Sequence, residues 1–228
     1  MQRWPLQLHS ATARPASDSI PDCDRIGRAG VGFVGRAGLA ALTGGLLWVV
    51  KGGIIMLGGA QPPWIFEFAP GLFSLGLLGL RAALGPSPGR AGIVGGVMAY
   101  LTGGLWAITM PIYALVPGAV RAGSFGPVNA LILVTFLTNL SALVLLGIAA
   151  RRCRVLPPRW SWLPIVLGTV AFPLIVAGGA LAVLNQRLVE LPVVVVGAAW
   201  MLLGYLIWAR RAQAIPGPQW PPHLTARK

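Results

Sequence analysis

The sequence has very few charged residues. They make up 10% of the 228 residues, whereas a soluble domain carries about 25%. Hydrophobic residues make up 56%, and the mean hydropathy is +0.75. A chain with so little charge cannot cover a folded surface that faces water. The composition therefore excludes a soluble enzyme, a soluble nucleic-acid-binding domain and a disordered tail, and it indicates a polytopic membrane protein.

Several kinds of catalytic group are also missing. The two histidines, His9 and His223, lie near the ends of the chain, so the apolar region can hold neither a His-Glu-x-x-His zinc site nor a histidine-bound haem. The sequence has no phosphate-binding loop of the ATPase type. The serines of the apolar region have no base partner that could activate them. We therefore expect a protein without enzymatic activity, metal or cofactor.

Cysteine is almost absent as well. The two cysteines, Cys23 and Cys153, fall in or beside segments that we expect to lie in the cytoplasm. Thiols in that compartment stay reduced, and two residues are too few for a metal site. We expect neither a disulfide nor a bound metal from this pair.

What the chain does contain is a series of six apolar stretches. Each is close to the ~20 residues that a helix needs to cross the hydrocarbon of a membrane. A polar, flexible arm at 1–36 precedes the membrane domain at 37–210, and a short tail at 211–228 follows it. Because the backbone must satisfy its own hydrogen bonds in lipid, these lengths predict an all-α bundle of six transmembrane helices. The helices are predicted at about 38–59, 65–84, 92–116, 127–150, 162–184 and 190–209.

The basic residues predict how the bundle is oriented. If the six spans alternate in direction, fifteen of the 18 lysines and arginines flank one side, and only Arg121 and Arg187 flank the other. The remaining cation, Lys51, lies inside the first span. Basic residues are enriched in cytoplasmic loops. We therefore expect both termini in the cytoplasm and the protein in the inner membrane of a bacterium.

Lys51 is the most unusual residue of the predicted spans. A charge at the centre of a bilayer costs about 2.5–3.5 kcal/mol on insertion scales. Lys51 lies about 12 Å below the outer end of its helix, and Glu67 lies just across a short turn, near the start of the second helix. We expect the two to meet, either as a structural clamp on the first hairpin or as an ion pair that lines a polar cavity or proton route.

Further polar residues define a second candidate group. Glu190 lies where the sixth helix begins, and it either shares an outer vestibule with Lys51 and Glu67 or complements the helix dipole. A thin polar layer near the middle of the membrane includes Thr102, Asn139 and Thr169. This layer is either a solute site or a set of hydrogen bonds between helices, each worth about 0.6 kcal/mol.

The third predicted helix carries a stripe of small residues. Small residues allow two helices in a membrane to approach closely. The stripe therefore predicts a packing surface, either inside the bundle or on the face of a dimer. Its members are Gly92, Gly95, Gly96, Ala99 and Gly103.

The loop after the fourth span is strongly basic, because it contains Arg151, Arg152, Arg154 and Arg159. Each cation near an anionic leaflet contributes about 1 kcal/mol of binding free energy, so we expect this loop to contact anionic lipid headgroups and not nucleic acid.

The function expected from the sequence is that of a non-enzymatic membrane protein acting through protein or lipid partners. The alternative is a small-solute or ion transporter that uses Lys51, Glu67 and the polar layer.

Overall fold

The computed structural model of the chain describes residues 28–60, 63–86, 88–115, 126–181 and 183–214. These residues form six long α-helices and two short 3-10 turns at Pro158–Trp160 and Gln186–Glu190, and they contain no β-strand. The helices are α1 (Arg28–Met56), α2 (Pro63–Ala83), α3 (Gly89–Leu115), α4 (Pro127–Arg152), α5 (Leu163–Leu181) and α6 (Leu191–Ala214).

The helices coincide with the six predicted apolar stretches. Five of them, α1 and α3 to α6, are long and apolar enough to cross a membrane, whereas the apolar part assigned to α2, Phe68–Ala83, is shorter. The prediction of an all-α, multi-pass membrane protein is therefore confirmed at that level. One boundary differs clearly: α1 begins at Arg28, inside the stretch that the sequence assigned to a polar arm. The apolar span of α1 already begins at Gly32, and Val34 is buried in the core.

The six helices form a closed ring. Each helix is antiparallel to its neighbours in sequence and packs against them, and α1 packs most extensively on α6, which closes the ring. The ring has one end where α1, α3 and α5 begin and where α2, α4 and α6 end. We call this the basic end, because the exposed arginines Arg36, Arg90, Arg151 and Arg152 lie toward it. The other end is called the opposite end.

Glycines bring α1 and α6 into backbone contact. A Cβ atom on Gly45 would lie 2.4 Å from the carbonyl oxygen of Gly197, and one on Gly204 would lie 2.7 Å from that of Gly38. Successive glycines on each helix are one heptad apart, so they recur on the same face. In apolar lipid the hydrophobic effect does not drive helices together. Close van der Waals contact between the two backbones stabilises the helix pair instead. We call these residues, together with Gly52, the glycine seam.

The two halves of the ring are packed differently. Among the described residues, every fully buried leucine or isoleucine lies in the half near the basic end, on α2, α4, α6 or just after α2. Their side chains fill the space between the helices there. The residues are Leu77, Leu80, Leu84, Leu143, Leu146, Leu203 and Ile207.

The stripe of small residues on α3 faces helices of the same chain. A Cβ atom on Gly95 would lie 2.9 Å from Leu146 on α4, and one on Gly96 would lie 2.9 Å from the side chain of Arg81 on α2. Ala99, about one turn further along α3, is fully buried. A Cβ atom on Gly92 would lie 3.3 Å from Ala149, and one on Gly103 would lie 4.0 Å from Ser74.

The cysteine expectation differs from the structure. Cys153, which follows the last residue of α4, is disulfide-bonded, so the expectation of a reduced thiol is wrong for this residue. That expectation rested on compartment alone and took no account of distances in the fold. The other cysteine of the sequence, Cys23, lies outside the described residues.

Candidate functional site

A buried ion pair lies between α1 and α6 in the half near the opposite end. The Nζ atom of Lys51 is 3.4 Å from the Oε2 atom of Glu190, and the two side chains are only 8% and 12% exposed. Gly52, the residue after Lys51, packs against the backbone of Glu190 and the side chain of Val194. The glycine seam therefore sets the register that places the ammonium group beside this carboxylate.

The expected partner of Lys51 was Glu67. The side chain of Glu67 lies outside the described residues, so this pairing stays a prediction. Glu190, which the sequence analysis assigned either to a vestibule shared with Lys51 and Glu67 or to the helix dipole, lies in direct contact with Lys51. The sequence could not favour Glu190 because the first and last helices meet through a long-range contact, whereas Glu67 is close along the chain.

A cavity of about 190 Å³ lies beside this ion pair, in the same half of the ring. All six helices contribute to its wall, and the lining is almost entirely apolar. Lys51 and Asn139 are its strongly polar residues. The other lining residues are Trp48, Pro70, Phe73, Trp106, Ile132, Phe136, Leu140, Ile175, Val193, Val196 and Trp200.

Three aromatic side chains form one wall of the cavity. The rings of Phe73 and Trp200 are stacked with centroids 4.5 Å apart, and Trp48 meets Phe73 edge to face at 5.1 Å. Both geometries are favourable for aromatic pairs. The sequence analysis missed this wall, although one signal was available: Trp48 and Lys51 are three residues apart and therefore share a face of α1.

Asn139 on α4 is the polar group at the part of the cavity that lies farther from the opposite end of the ring. It lies about 18 Å along α4 from the start of that helix, and Lys51 lies about 8 Å from the end of α1, so the two differ in depth by roughly 10 Å. Asn139 is only 6% exposed, and its amide makes no hydrogen bond within the described part of the chain. Buried amides are normally hydrogen-bonded, so this group is available to a molecule in the cavity.

The other residues of the polar layer do not reach the cavity. Thr102 is fully buried and donates its hydroxyl hydrogen to the carbonyl oxygen of Met98, and Thr169 is exposed and donates to that of Ile165. Ser74 donates to its own helix in the same way. Serine and threonine readily make this bond four residues back. The expectation that these hydroxyls donate across helices is therefore wrong.

The groups that line the cavity can bind a small molecule. Over residues 28–60, 68–86, 88–112 and 126–210, with gaps at Ser87 and Ala182, no cluster of His, Cys, Asp or Glu could hold a metal ion. The cavity wall offers aromatic surface, one amide and one ammonium group beside a carboxylate. This arrangement can enclose a small molecule and orient it by one or two polar contacts.

Comparisons with family models, with curated proteins and with solved structures find no match to this chain. Its function is therefore argued from the cavity and its surroundings.

Proposed function

We propose that the chain is a non-enzymatic, multi-pass protein of a bacterial cytoplasmic membrane that binds and moves a small solute through the cavity. The observation that carries the proposal is the contrast between the two halves of the ring. Near the basic end the space is filled by leucines, whereas the other half holds a cavity of about 190 Å³ that Lys51 and Asn139 line. Such a contrast is typical of a carrier that is open to one side and closed to the other.

The energetic cost of this half supports a functional role. Protein interiors are close-packed, and empty volume destabilises a fold by about 24 cal/mol per Å³, or about 4–5 kcal/mol for a cavity of this size. The buried ammonium of Lys51 adds a further cost within an apolar helix. A bundle that needed only to be stable could fill the space with a leucine side chain, as the other half does.

The orientation in the proposal rests on the basic residues. With α2 as a sixth span, both termini lie on the side of the basic end. We propose that this end is the cytoplasm because basic residues are enriched in cytoplasmic loops, although the disulfide-bonded Cys153 lies at the same end and disulfides are rare in that compartment. The length of α2, 21 residues, corresponds to about 31 Å and matches the hydrocarbon thickness. Its residues Gly76 and Gly79 pack on Ala41 and Ala37 of α1, so it follows α1 through the bundle. The cavity then faces the outside.

Thiol labelling from outside tests the proposal. In a full-length chain with Cys23→Ser and Cys153→Ser, Val193→Cys should react with a charged, membrane-impermeant maleimide in intact spheroplasts, because Val193 lines the cavity. Val195→Cys on the exposed apolar face of α6 and Leu203→Cys in the leucine-packed half should stay unlabelled. Failure of Val193→Cys to react, with all three variants equally abundant in the membrane, would overturn the proposal.

A second function is favoured by the loop at the basic end. The guanidinium of Arg151 lies 3.5 Å from the ring centroid of Trp162, and the neighbouring Arg152, Arg154 and Arg159 are exposed. A tryptophan beside exposed arginines is typical of the headgroup region. In this alternative the protein acts by binding anionic lipid, or a membrane protein partner that uses the same surface.

Lipid analysis of the purified protein tests this alternative. The wild type should retain anionic phospholipid, and a variant with Arg151→Gln, Arg152→Gln and Arg154→Gln should lose most of it, because each cation contributes about 1 kcal/mol. Arg187→Gln near the opposite end is the control and should retain the wild-type amount. Equal retention by both variants, or tight and salt-sensitive binding to DNA, would contradict lipid binding at this loop.

A further inference from the structure

The shape of the cavity limits what it can hold. A cavity of about 150 Å³ in another protein accepts one benzene molecule, and the cavity here is about 190 Å³. It therefore has room for one ring with one or two further heavy atoms. The stacked rings of Phe73 and Trp200, with Trp48 edge to face against Phe73, give the cavity an aromatic surface, against which a further aromatic ring packs well.

The charges beside the cavity limit the ligand further. Among the described side chains, Lys51 is the ionisable residue that lines the cavity, and the carboxylate of Glu190 lies against its ammonium group. The other described lining residues, Asn139 apart, are aromatic or aliphatic. A charged ligand would therefore lie mainly against tryptophan, phenylalanine and aliphatic residues, which strongly disfavours its transfer from water. An uncharged ligand avoids this penalty.

The amide of Asn139 supplies the polar contact. It is more than nine-tenths buried, lines the cavity, and makes no hydrogen bond within the described residues. An amide both donates and accepts hydrogen bonds. A hydroxyl or carbonyl group on the ligand would satisfy it, whereas a pure hydrocarbon would leave it without a partner.

We propose that the cavity binds an uncharged, single-ring aromatic molecule that carries one hydroxyl or carbonyl group, with the ring against Phe73, Trp200 and Trp48 and the polar group on the amide of Asn139. This ligand class rests on the proposed function, because it names the solute of the same cavity. The ligand class goes beyond that function, because a carrier with the same cavity could instead move ions or charged metabolites.

Three probes of nearly the same size test the ligand class. Benzyl alcohol, benzoate and benzylammonium differ mainly in charge, and each is titrated into the full-length protein in lipid nanodiscs. Binding is followed by tryptophan fluorescence, since three of the lining residues are tryptophans. Benzyl alcohol should give a saturable change, and the two ions should bind at least about tenfold more weakly.

Matched variants separate the cavity from the lipid. Val193→Phe fills the cavity and should weaken benzyl alcohol binding by at least about tenfold, whereas Val195→Phe, two residues along α6 and 50% exposed, should not change it. Asn139→Leu should weaken binding about fivefold, which corresponds to one hydrogen bond. Titration of empty nanodiscs measures the contribution of partitioning.

The outcomes separate this inference from the proposed function. Saturable binding of benzoate or benzylammonium that is tighter than that of benzyl alcohol and is lost in Val193→Phe would overturn the uncharged ligand class and leave the solute cavity standing. Absence of saturable benzyl alcohol binding, or equal binding by Val193→Phe and Val195→Phe, would also overturn the inference. Only the thiol-labelling result decides whether the cavity is open to solutes at all.

Discussion

Removing either partner of the Lys51–Glu190 pair should destabilise the protein strongly. At 3.4 Å between Nζ and Oε2, two unit charges attract by about 5 kcal/mol at an effective dielectric constant of ~20. Much of this offsets the desolvation of both groups, so the net value of the pair is small. When Lys51 is removed, however, the carboxylate of Glu190 stays buried without this ammonium group, which costs about 3–5 kcal/mol.

A double-mutant cycle measures this coupling. We expect Lys51→Met to lower the free energy of unfolding by about 3–5 kcal/mol and Glu190→Gln to lower it by a smaller amount, because Lys51 takes part in a further interaction. The double variant should lose less than the sum of the two, by about 1–3 kcal/mol. The measurement is unfolding of the purified full-length protein in mixed micelles with increasing SDS, followed by far-UV circular dichroism and tryptophan fluorescence. Arg187→Met, which removes an exposed cation near the same end, should change the free energy by less than about 0.5 kcal/mol.

Additivity would refute the reasoning. If the double variant lost the full sum of the single losses, Lys51 and Glu190 would not interact in the folded protein, and the compensation of charge beside the cavity would have no basis. A cycle of Lys51→Met with Glu67→Gln tests the pairing predicted from the sequence. Loss of solute binding in a double variant that folds normally would assign the pair to the solute route, and retained binding would make it a structural clamp.

Two further predictions concern packing and topology. Gly45→Ala should destabilise the protein by about 1–3 kcal/mol, because its Cβ atom would lie 2.4 Å from the carbonyl oxygen of Gly197. Gly53→Ala is the control: its Cβ atom would meet nothing within 4 Å, so the change should be neutral or stabilising by up to about 1 kcal/mol. The SDS unfolding assay measures both, and equal effects would contradict the close contact at the glycine seam. Reporter fusions should detect the outside at three positions and the cytoplasm at three others, and one reversed position would contradict six spans with both termini inside. The outside positions are Pro62, Arg121 and Arg187, and the cytoplasmic positions are Arg90, Arg154 and Lys228.

The helices could be predicted from the sequence because a membrane imposes a length and a composition on each one. The apolar stretch at about 127–150, for example, corresponds closely to α4, Pro127–Arg152. The start of α1 was not predicted in this way, because the arginines and glycines between Arg28 and Arg36 obscured the apolar residues Phe33 and Val34, although the apolar span of α1 already begins at Gly32.

The candidate site could be predicted only as separate residues. Lys51, Glu190 and Asn139 stood out because each is polar in an apolar environment. Their arrangement depends on which helices become neighbours and in which register, and that is decided by glycine contacts such as Gly45 with Gly197. The aromatic wall was missed for the same reason, since Phe73 and Trp200 come from helices that are far apart in the sequence.

The glycine seam joins the first helix of the chain to the last, and this has a consequence for biosynthesis. A ribosome releases α1 into the membrane well before α6 exists, so the most extensive helix contact of the bundle forms only when translation is almost complete. Until then Lys51 is in the membrane without Glu190, and the α1 glycines of the seam have no α6 backbone to contact. A chain terminated before α6 therefore keeps a cation in an apolar helix with no acid from α6 beside it.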